Sequence, residues 1–223
     1  MKNFFSTVFK GLTKGAKAVL DGFGHVLIFL VIVIAWLPVH ILFPTKVVGK
    51  RNLKAQGGRI LVCNHFSNLD AILLVFFLRP FKRMKFLAKK ELKKFAPLGW
   101  VLRILGAIYI DRDNLDIKAI KETSAELKKG KIVTIFAEGT RNKTESEDLQ
   151  ALKGGSIFFA TSTGSFIIPA RIIHRPKLFK KNYIVIGAPY KPERGNKEQK
   201  EKEILTLTQK MDELRSKAIT KGE

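Results

Sequence analysis

Residues 26–37 read VLIFLVIVIAWL, twelve positions without one polar side chain. A helix built from them has no face to offer water, so it must be surrounded by protein core or by lipid. Interrupted only by Pro38 and His40, the apolar run continues to Phe43. Its length as a helix, roughly 27 Å at about 1.5 Å per residue, barely matches the hydrocarbon core of a bilayer. Pro38 is expected to kink or shorten it. Upstream, Phe4, Phe5, Val8, Phe9, Leu12, Ala16, Val19 and Leu20 recur at helical spacing, with Lys10, Lys14 and Lys17 largely on the other face. That is the pattern of an amphipathic helix lying in a membrane interface. Lys46, Lys50, Arg51 and Lys54 follow the apolar run, so basic residues flank it on both sides and give it no direction. Both ends are therefore expected at the cytoplasmic face of the cell membrane, the two helices dipping in as a monotopic hairpin, with a single span as the alternative. No signal-peptide cleavage pattern follows the run. The expected division is a membrane anchor over 1–44 and a folded domain over 45–223.

The 223-residue chain has 41 Lys and Arg against 19 Asp and Glu, a net charge of +22, with 46% hydrophobic residues. That apolar fraction excludes a disordered polycation. Most of the surplus lies between residues 45 and 189, densest from Arg79 to Lys94, where eight basic residues face Glu91 alone. Such a charge calls for an anionic partner: nucleic acid, an anionic lipid surface or an acidic substrate. With Cys63 as the single cysteine, a disulfide framework and a cysteine-built zinc site are excluded, and a reducing compartment is the default.

From residue 45 onward, short apolar runs alternate with helical ones. Strands are expected at 59–63 (RILVC), 84–88 (MKFLA), 107–110 (AIYI), 132–136 (IVTIF), 166–172 (FIIPARI) and 183–186 (YIVI). Helices are expected at 68–78, 97–105, 115–129, 153–163 and 197–220. The alternation points to an α/β fold, a single domain with a mostly parallel central sheet flanked by helices. Open sheets of this kind bind ligands at the carboxyl ends of their strands, which is where chemistry should be sought.

After the first of these strands comes NHFSNLD. Ser67 or Asn68 suits a helix N-cap, placing Asp70 in the first turn, from where it can fold back on the His65 imidazole. A carboxylate on one ring nitrogen fixes the tautomer and leaves the other free as a base. After the strand 132–136 comes AEGTR: Gly139 allows close backbone approach, Arg141 offers a planar fork suited to phosphate, and Glu138 could orient that arginine or bond a hydroxyl. Read alone, the four residues 138–141 fit an ordinary turn with a surface ion pair. Arg112 follows the strand 107–110, and Lys89 follows 84–88. Three cations converging on one sheet edge would make a phosphate site; pointing apart, they would be only part of the positive surface.

Together, NHFSNLD, GAIYIDR, FAEGTR and IIPA stand in the order and spacing of the four motifs of glycerolipid acyltransferases, and the chain most resembles the bacterial 1-acylglycerol-3-phosphate acyltransferases. The resemblance covers about residues 46–190 and includes LAKKEL at 87–92 and LKGG at 152–155. The two-helix N-terminal segment is also similar to that of bacterial members. The resemblance implies that His65 deprotonates the 2-hydroxyl of lysophosphatidic acid for attack on an acyl thioester of acyl carrier protein or coenzyme A, giving phosphatidic acid. Asp70 would support His65. Arg112 and the turn Glu138, Gly139, Thr140 and Arg141 would bind the glycerol phosphate, with Lys89 helping. Ile167, Ile168 and Pro169 would help to shape the acyl end of the site. No metal, cofactor or covalent acyl-enzyme is implied. The chain departs from the family pattern at Ala137, where proline is usual, and at Phe66, where a polar residue is common. Neither change removes a functional group.

A nucleic-acid partner would suit the charge, yet no nucleic-acid motif occurs and the apolar segment would have no role, so none is expected. A lipid hydrolase lacks the nucleophile of a covalent route, since no G-x-S-x-G elbow occurs and no cysteine sits in a reactive motif. A membrane scaffold without catalysis would leave His65 dispensable. His25 and His40 bracket the apolar run as its polar ends, and His174 reads as a surface or structural residue.

Overall fold

The computed structural model describes residues 34–78, 84–94, 99, 102, 103, 106–111, 114–142 and 148–220. The chain divides into two units, Met1–Ile41 and Leu42–Glu223. In the first unit the expected amphipathic helix and most of the apolar run lie outside the described residues. Residues 34–41 are helical through Pro38, and His40 Nδ1 donates to the Trp36 carbonyl at 2.8 Å. Among the described residues no helix is long and apolar enough to cross a membrane.

The second unit is built on a seven-stranded sheet. Its elements are β1 (Thr45–Val48), β2 (Arg59–Cys63), α1 (Leu69–Leu78), β3 (Met84–Lys89), β4 (Ile108–Ile110), α2 (Ile117–Lys128), β5 (Ile132–Phe136), α3 (Gly155–Thr163), β6 (Phe166–Ile172), β7 (Asn182–Ile186) and α4 (Lys197–Thr220). The strand order is β1-β7-β6-β2-β5-β3-β4. Every pairing is parallel except β6 with β7. β2, β5 and β6 begin and end where the sequence placed them, because each is a mostly apolar run buried on both faces of the sheet over nearly its whole length. In β2 all five residues are buried, the Arg59 guanidinium included. That guanidinium donates to the carbonyls of Leu53 and Gly130, which offsets part of the cost of burying its charge.

Strand order fixes where the helices lie. From β2 the chain crosses past β5 to β3, and from β5 it crosses back past β2 to β6. Right-handed crossovers in opposite directions put α1 and α3 on opposite faces of the sheet. On the α3 face, Ile60 and Val62 of β2, Val133 and Ile135 of β5 and Ile167 of β6 pack with Leu127, Ile157, Phe159, Leu207 and Met211 from α2, α3 and α4. The divergence of the two crossovers opens the sheet's carboxyl edge between β2 and β5, the topological switch point at which such sheets hold ligands.

Two features were not expected. β1 forms an edge strand paired with β7, and short 3₁₀ turns follow it at Lys50–Lys54 and follow β3 at Lys90–Lys94. The expected helix at 97–105 lies mostly outside the described residues, of which Gly99, Leu102 and Arg103 are helical.

Candidate active site

At the switch point, β2 ends and the chain turns into α1. Asn64, 1% exposed, locks that exit to β6: its amide donates to the Ile172 carbonyl at 3.0 Å, and its oxygen accepts from the Ile172 amide at 2.8 Å. His65 follows directly. Ser67 Oγ accepts from the Leu69 amide at 3.1 Å, starting α1 and putting Asp70 in its first turn. The Asp70 side chain then folds back completely. Its Oδ2 accepts from the amides of Phe66 at 2.6 Å and Ser67 at 2.8 Å, and meets His65 Nδ1 at 2.9 Å. Buried beyond reach of solvent, this carboxylate receives charge-assisted bonds in place of water. With Oδ2 accepting two amide protons, the third contact requires Nδ1–H to donate. The neutral imidazole therefore carries its lone pair on Nε2, which has no hydrogen-bond partner among the described residues. The ring is 17% exposed and stacks on Phe136, centroids 4.0 Å apart and planes 16° apart, so it is held flat with its free nitrogen accessible.

The turn after β5 forms the second wall. The Gly139 amide donates to the Phe136 carbonyl at 3.1 Å, and Gly139 takes φ 74°, where a Cβ would also strike the Lys153 side chain. Thr140 and Arg141 emerge exposed at the tip, with Arg141 Nη1 3.5 Å from Asn68 Oδ1. Arg141 thus stands over the start of α1, beside the histidine loop, and is open to a ligand.

Glu138 behaves differently from the sequence expectation. It is 4% exposed and points inward, without any contact to Arg141, and neither carboxyl oxygen makes a hydrogen bond of normal geometry. Burial pushes its carboxyl up to about 7. The amides of Gln150 and His65 and the Arg171 charge pull it down, while Asp70 pushes it further up. Glu138 therefore sits behind the dyad, and the ligand-facing role passes to Arg141.

Lys89 ends β3 at the same carboxyl edge, half-exposed and 3.8 Å from Glu91. Asp111 follows β4 at this edge, but Arg112 lies outside the described residues. Ile167 and Ile168 are fully buried in β6, level with Ile60 and Leu61 of β2, and Pro169 is level with Val62. Successive strand residues face opposite sides of the sheet, so these three belong to the core below the edge, and the structure does not bring them together with His65.

Two positioning groups had no sequence signal. The backbone N–H of Asn142, buried just past the turn, donates to the His65 carbonyl at 2.7 Å. Arg175, in the loop after β6, donates to the Phe66 carbonyl at 3.2 Å and to the Asn142 carbonyl at 3.0 Å. One guanidinium thereby clamps the histidine loop to the Arg141 turn. Only the β2–β6 register, which brings residue 175 to residue 66, makes the pairing visible.

A base oriented by a buried carboxylate, beside an exposed guanidinium at a sheet switch point, suits proton removal from a phosphate-bearing alcohol. A family model described as Acyltransferase matches residues 44–173, which contain His65, Asp70 and Arg141. The chain belongs to the acyltransferase family. A Bacillus subtilis protein named 1-acyl-sn-glycerol-3-phosphate acyltransferase is 35% identical over 149 residues, 65% of this chain and 72% of that one. A Borreliella burgdorferi protein of the same name is 31% identical over 141 residues, 62% of this chain and 54% of that one. Among solved structures, the 1-acyl-sn-glycerophosphate acyltransferase PlsC from Thermotoga maritima matches with a TM-score of 0.59 and 26% identity, covering 77% of this chain and 72% of that one. As an acyltransferase, the chain carries its dyad and its guanidinium within the matched span.

Proposed function

We propose that this acyltransferase moves an acyl group from a thioester to the 2-hydroxyl of 1-acylglycerol 3-phosphate, giving phosphatidic acid for phospholipid synthesis. The observation that carries the reading is the His65 ring, tied through Nδ1 to Asp70 at 2.9 Å and open at Nε2. The names of the relatives from Bacillus subtilis and Borreliella burgdorferi support the choice of acceptor. Nε2 takes the hydroxyl proton as the oxygen attacks the thioester carbonyl carbon. The Asp70 carboxylate stabilises the imidazolium that forms. Collapse of the tetrahedral intermediate breaks the C–S bond, and the leaving thiolate recovers the proton from Nε2. Atoms and charges balance with no cofactor, since the thioester is already activated. Arg141 would grip the acceptor phosphate, with Lys89 and Arg112 lending positive charge. Acyl carrier protein and coenzyme A are both suitable donors. The apolar run and the basic surplus support work at the cytoplasmic face of a membrane, where the anionic lysolipid resides.

The test is a panel. Purified protein is incubated with the acyl carrier protein and coenzyme A thioesters against 1-acylglycerol 3-phosphate, glycerol 3-phosphate, dihydroxyacetone phosphate and lysolipids with larger head groups, and the products are separated. Phosphatidic acid should dominate; faster transfer to glycerol 3-phosphate would overturn the assignment.

A further inference from the structure

The tip of the loop joining β6 to β7, residues 177–181, has a construction that the acyl-transfer site does not use. Leu178 and Phe179, 52% and 66% exposed, stand side by side at its tip, between Lys177 on one side and Lys180 and Lys181 on the other, all three exposed. A single exposed leucine means little, but this pair is presented by a built scaffold. The buried Asn182 side chain ties the turn from within: its Nδ2 donates to the Lys180 carbonyl at 2.8 Å and the Lys177 carbonyl at 3.2 Å, and its Oδ1 accepts from the Lys177 amide at 2.9 Å. Phe179 itself adopts φ 56°, and it is the one non-glycine residue at positive φ among those described. A bulky side chain in that region is strained, and the strain persists only where the surroundings impose it. Here the Phe179 amide donates to the Leu42 carbonyl at 2.7 Å.

Place and charge say what the turn meets. β6 runs parallel to β2, so its exit lies at the edge that holds His65, and Arg175 of the same loop bonds the residue after that histidine. Leu42, which holds the Phe179 amide, belongs to the apolar run of the sequence. Apolar tips ringed by lysines fit the boundary between anionic headgroups and acyl chains: Leu and Phe enter the acyl layer while the lysines stay among the phosphates.

We infer that the turn from Lys177 to Lys181 is a second membrane contact, separate from the N-terminal segment, which inserts Leu178 and Phe179 into an anionic lipid surface and thereby turns the His65 edge towards the bilayer. The inference rests on the proposal that the enzyme works at a membrane, but not on which acceptor it acylates. It gives the lysolipid a short route from the lipid layer to the catalytic histidine.

The native Cys63 is fully buried, so a cysteine introduced in the turn can be labelled alone. Full-length protein carrying Leu178→Cys, labelled with the fluorophore NBD, is mixed with phosphatidylcholine–phosphatidylglycerol vesicles with and without doxyl-quencher lipids. Gln56→Cys, exposed in the loop before β2 at the opposite sheet edge, is the matched control. The label at 178 should shift to the blue, gain intensity severalfold and be quenched by shallow doxyl groups, whereas the label at 56 should stay as in water. Retained acyl transfer by both labelled proteins shows that they are folded. A water-like signal at 178 while the protein co-floats with vesicles would overturn the second contact and leave the anchor standing. A change at 178 on adding acyl carrier protein but not vesicles would overturn it in favour of a protein partner. Neither result depends on the acceptor panel, so failure of the acceptor assignment would be seen separately.

Discussion

Replacing Asp70 by Asn separates catalysis from folding, because turnover and unfolding report the two effects independently. The amide is isosteric with the carboxylate, and its oxygen can still accept from the Phe66 and Ser67 amides and from His65 Nδ1, which now lie 2.6, 2.8 and 2.9 Å from Oδ2. Each bond loses its charge assistance, about 1 kcal/mol apiece. Against that loss, a fully buried charge is removed, and its desolvation cost disappears. The two partly cancel, but the new Nδ2 takes the place of Oδ1, a buried atom without a hydrogen-bond partner, so stability should fall by about 1 to 2 kcal/mol. Catalysis has no such compensation. When Nε2 takes the proton, the imidazolium faces a neutral amide in place of an anion. A pair of unit charges about 4 Å apart in a partly buried site is worth roughly 4 kcal/mol at an effective dielectric of about 20. That is a loss of about a thousandfold in turnover. Initial acyl-transfer rates at saturating donor and acceptor, measured beside urea unfolding of both proteins, give the comparison. Turnover within about threefold of wild type, with the fold intact, would refute the role assigned to the carboxylate.

Three further outcomes follow from other parts of the site. The Glu138 carboxyl, raised from its ordinary 4.5 to about 7, is favoured in its neutral form by the fold. Its contribution is therefore intact below the ordinary carboxylate range and declines as pH rises through that range towards 7, by up to about 3 kcal/mol. Glu138→Gln should flatten the fall in melting temperature between pH 5 and 8, and an unchanged pH profile would contradict the burial account. Arg141→Ala removes an exposed side chain with one long contact to Asn68, so stability should hold while KM for the phosphate-bearing acceptor rises about 10- to 100-fold; an unchanged KM would move the phosphate elsewhere. Arg175→Ala should lower kcat by about tenfold through loosening of the His65 loop, with partial rescue by added guanidinium and none by Arg175→Lys, whose single ammonium cannot bridge both carbonyls.

How much of this was legible in the sequence depended on whether a signal was local. The RILVC and IVTIF strands could be bounded to the residue because polar or small neighbours break each apolar run. The edge strand β1 escaped notice because TKVV is four half-buried residues directly after an apolar run that had another explanation. The antiparallel turn of β7 has no local sign at all, since HRPKLFKK at 174–181 could as well have led a crossover. The His65–Asp70 pair was readable because five residues across a helix start can close one hydrogen bond. Glu138 was misjudged for the opposite reason. In a turn its side chain can point either way, and the choice depends on surroundings distant in sequence, the His65 and Gln150 backbone and Arg171. The Arg175 clamp joins residues 109 apart in sequence and becomes visible only with the strand register.

The most direct test of the central claim is the His65→Ala protein, assayed for single-turnover acyl transfer from a thioester to 1-acylglycerol 3-phosphate beside a thermal unfolding curve. Removal of the base at the open end of the dyad should cut the rate by about a thousandfold or more while the melting temperature stays close to wild type. Transfer at a near-native rate by the folded variant would contradict the account.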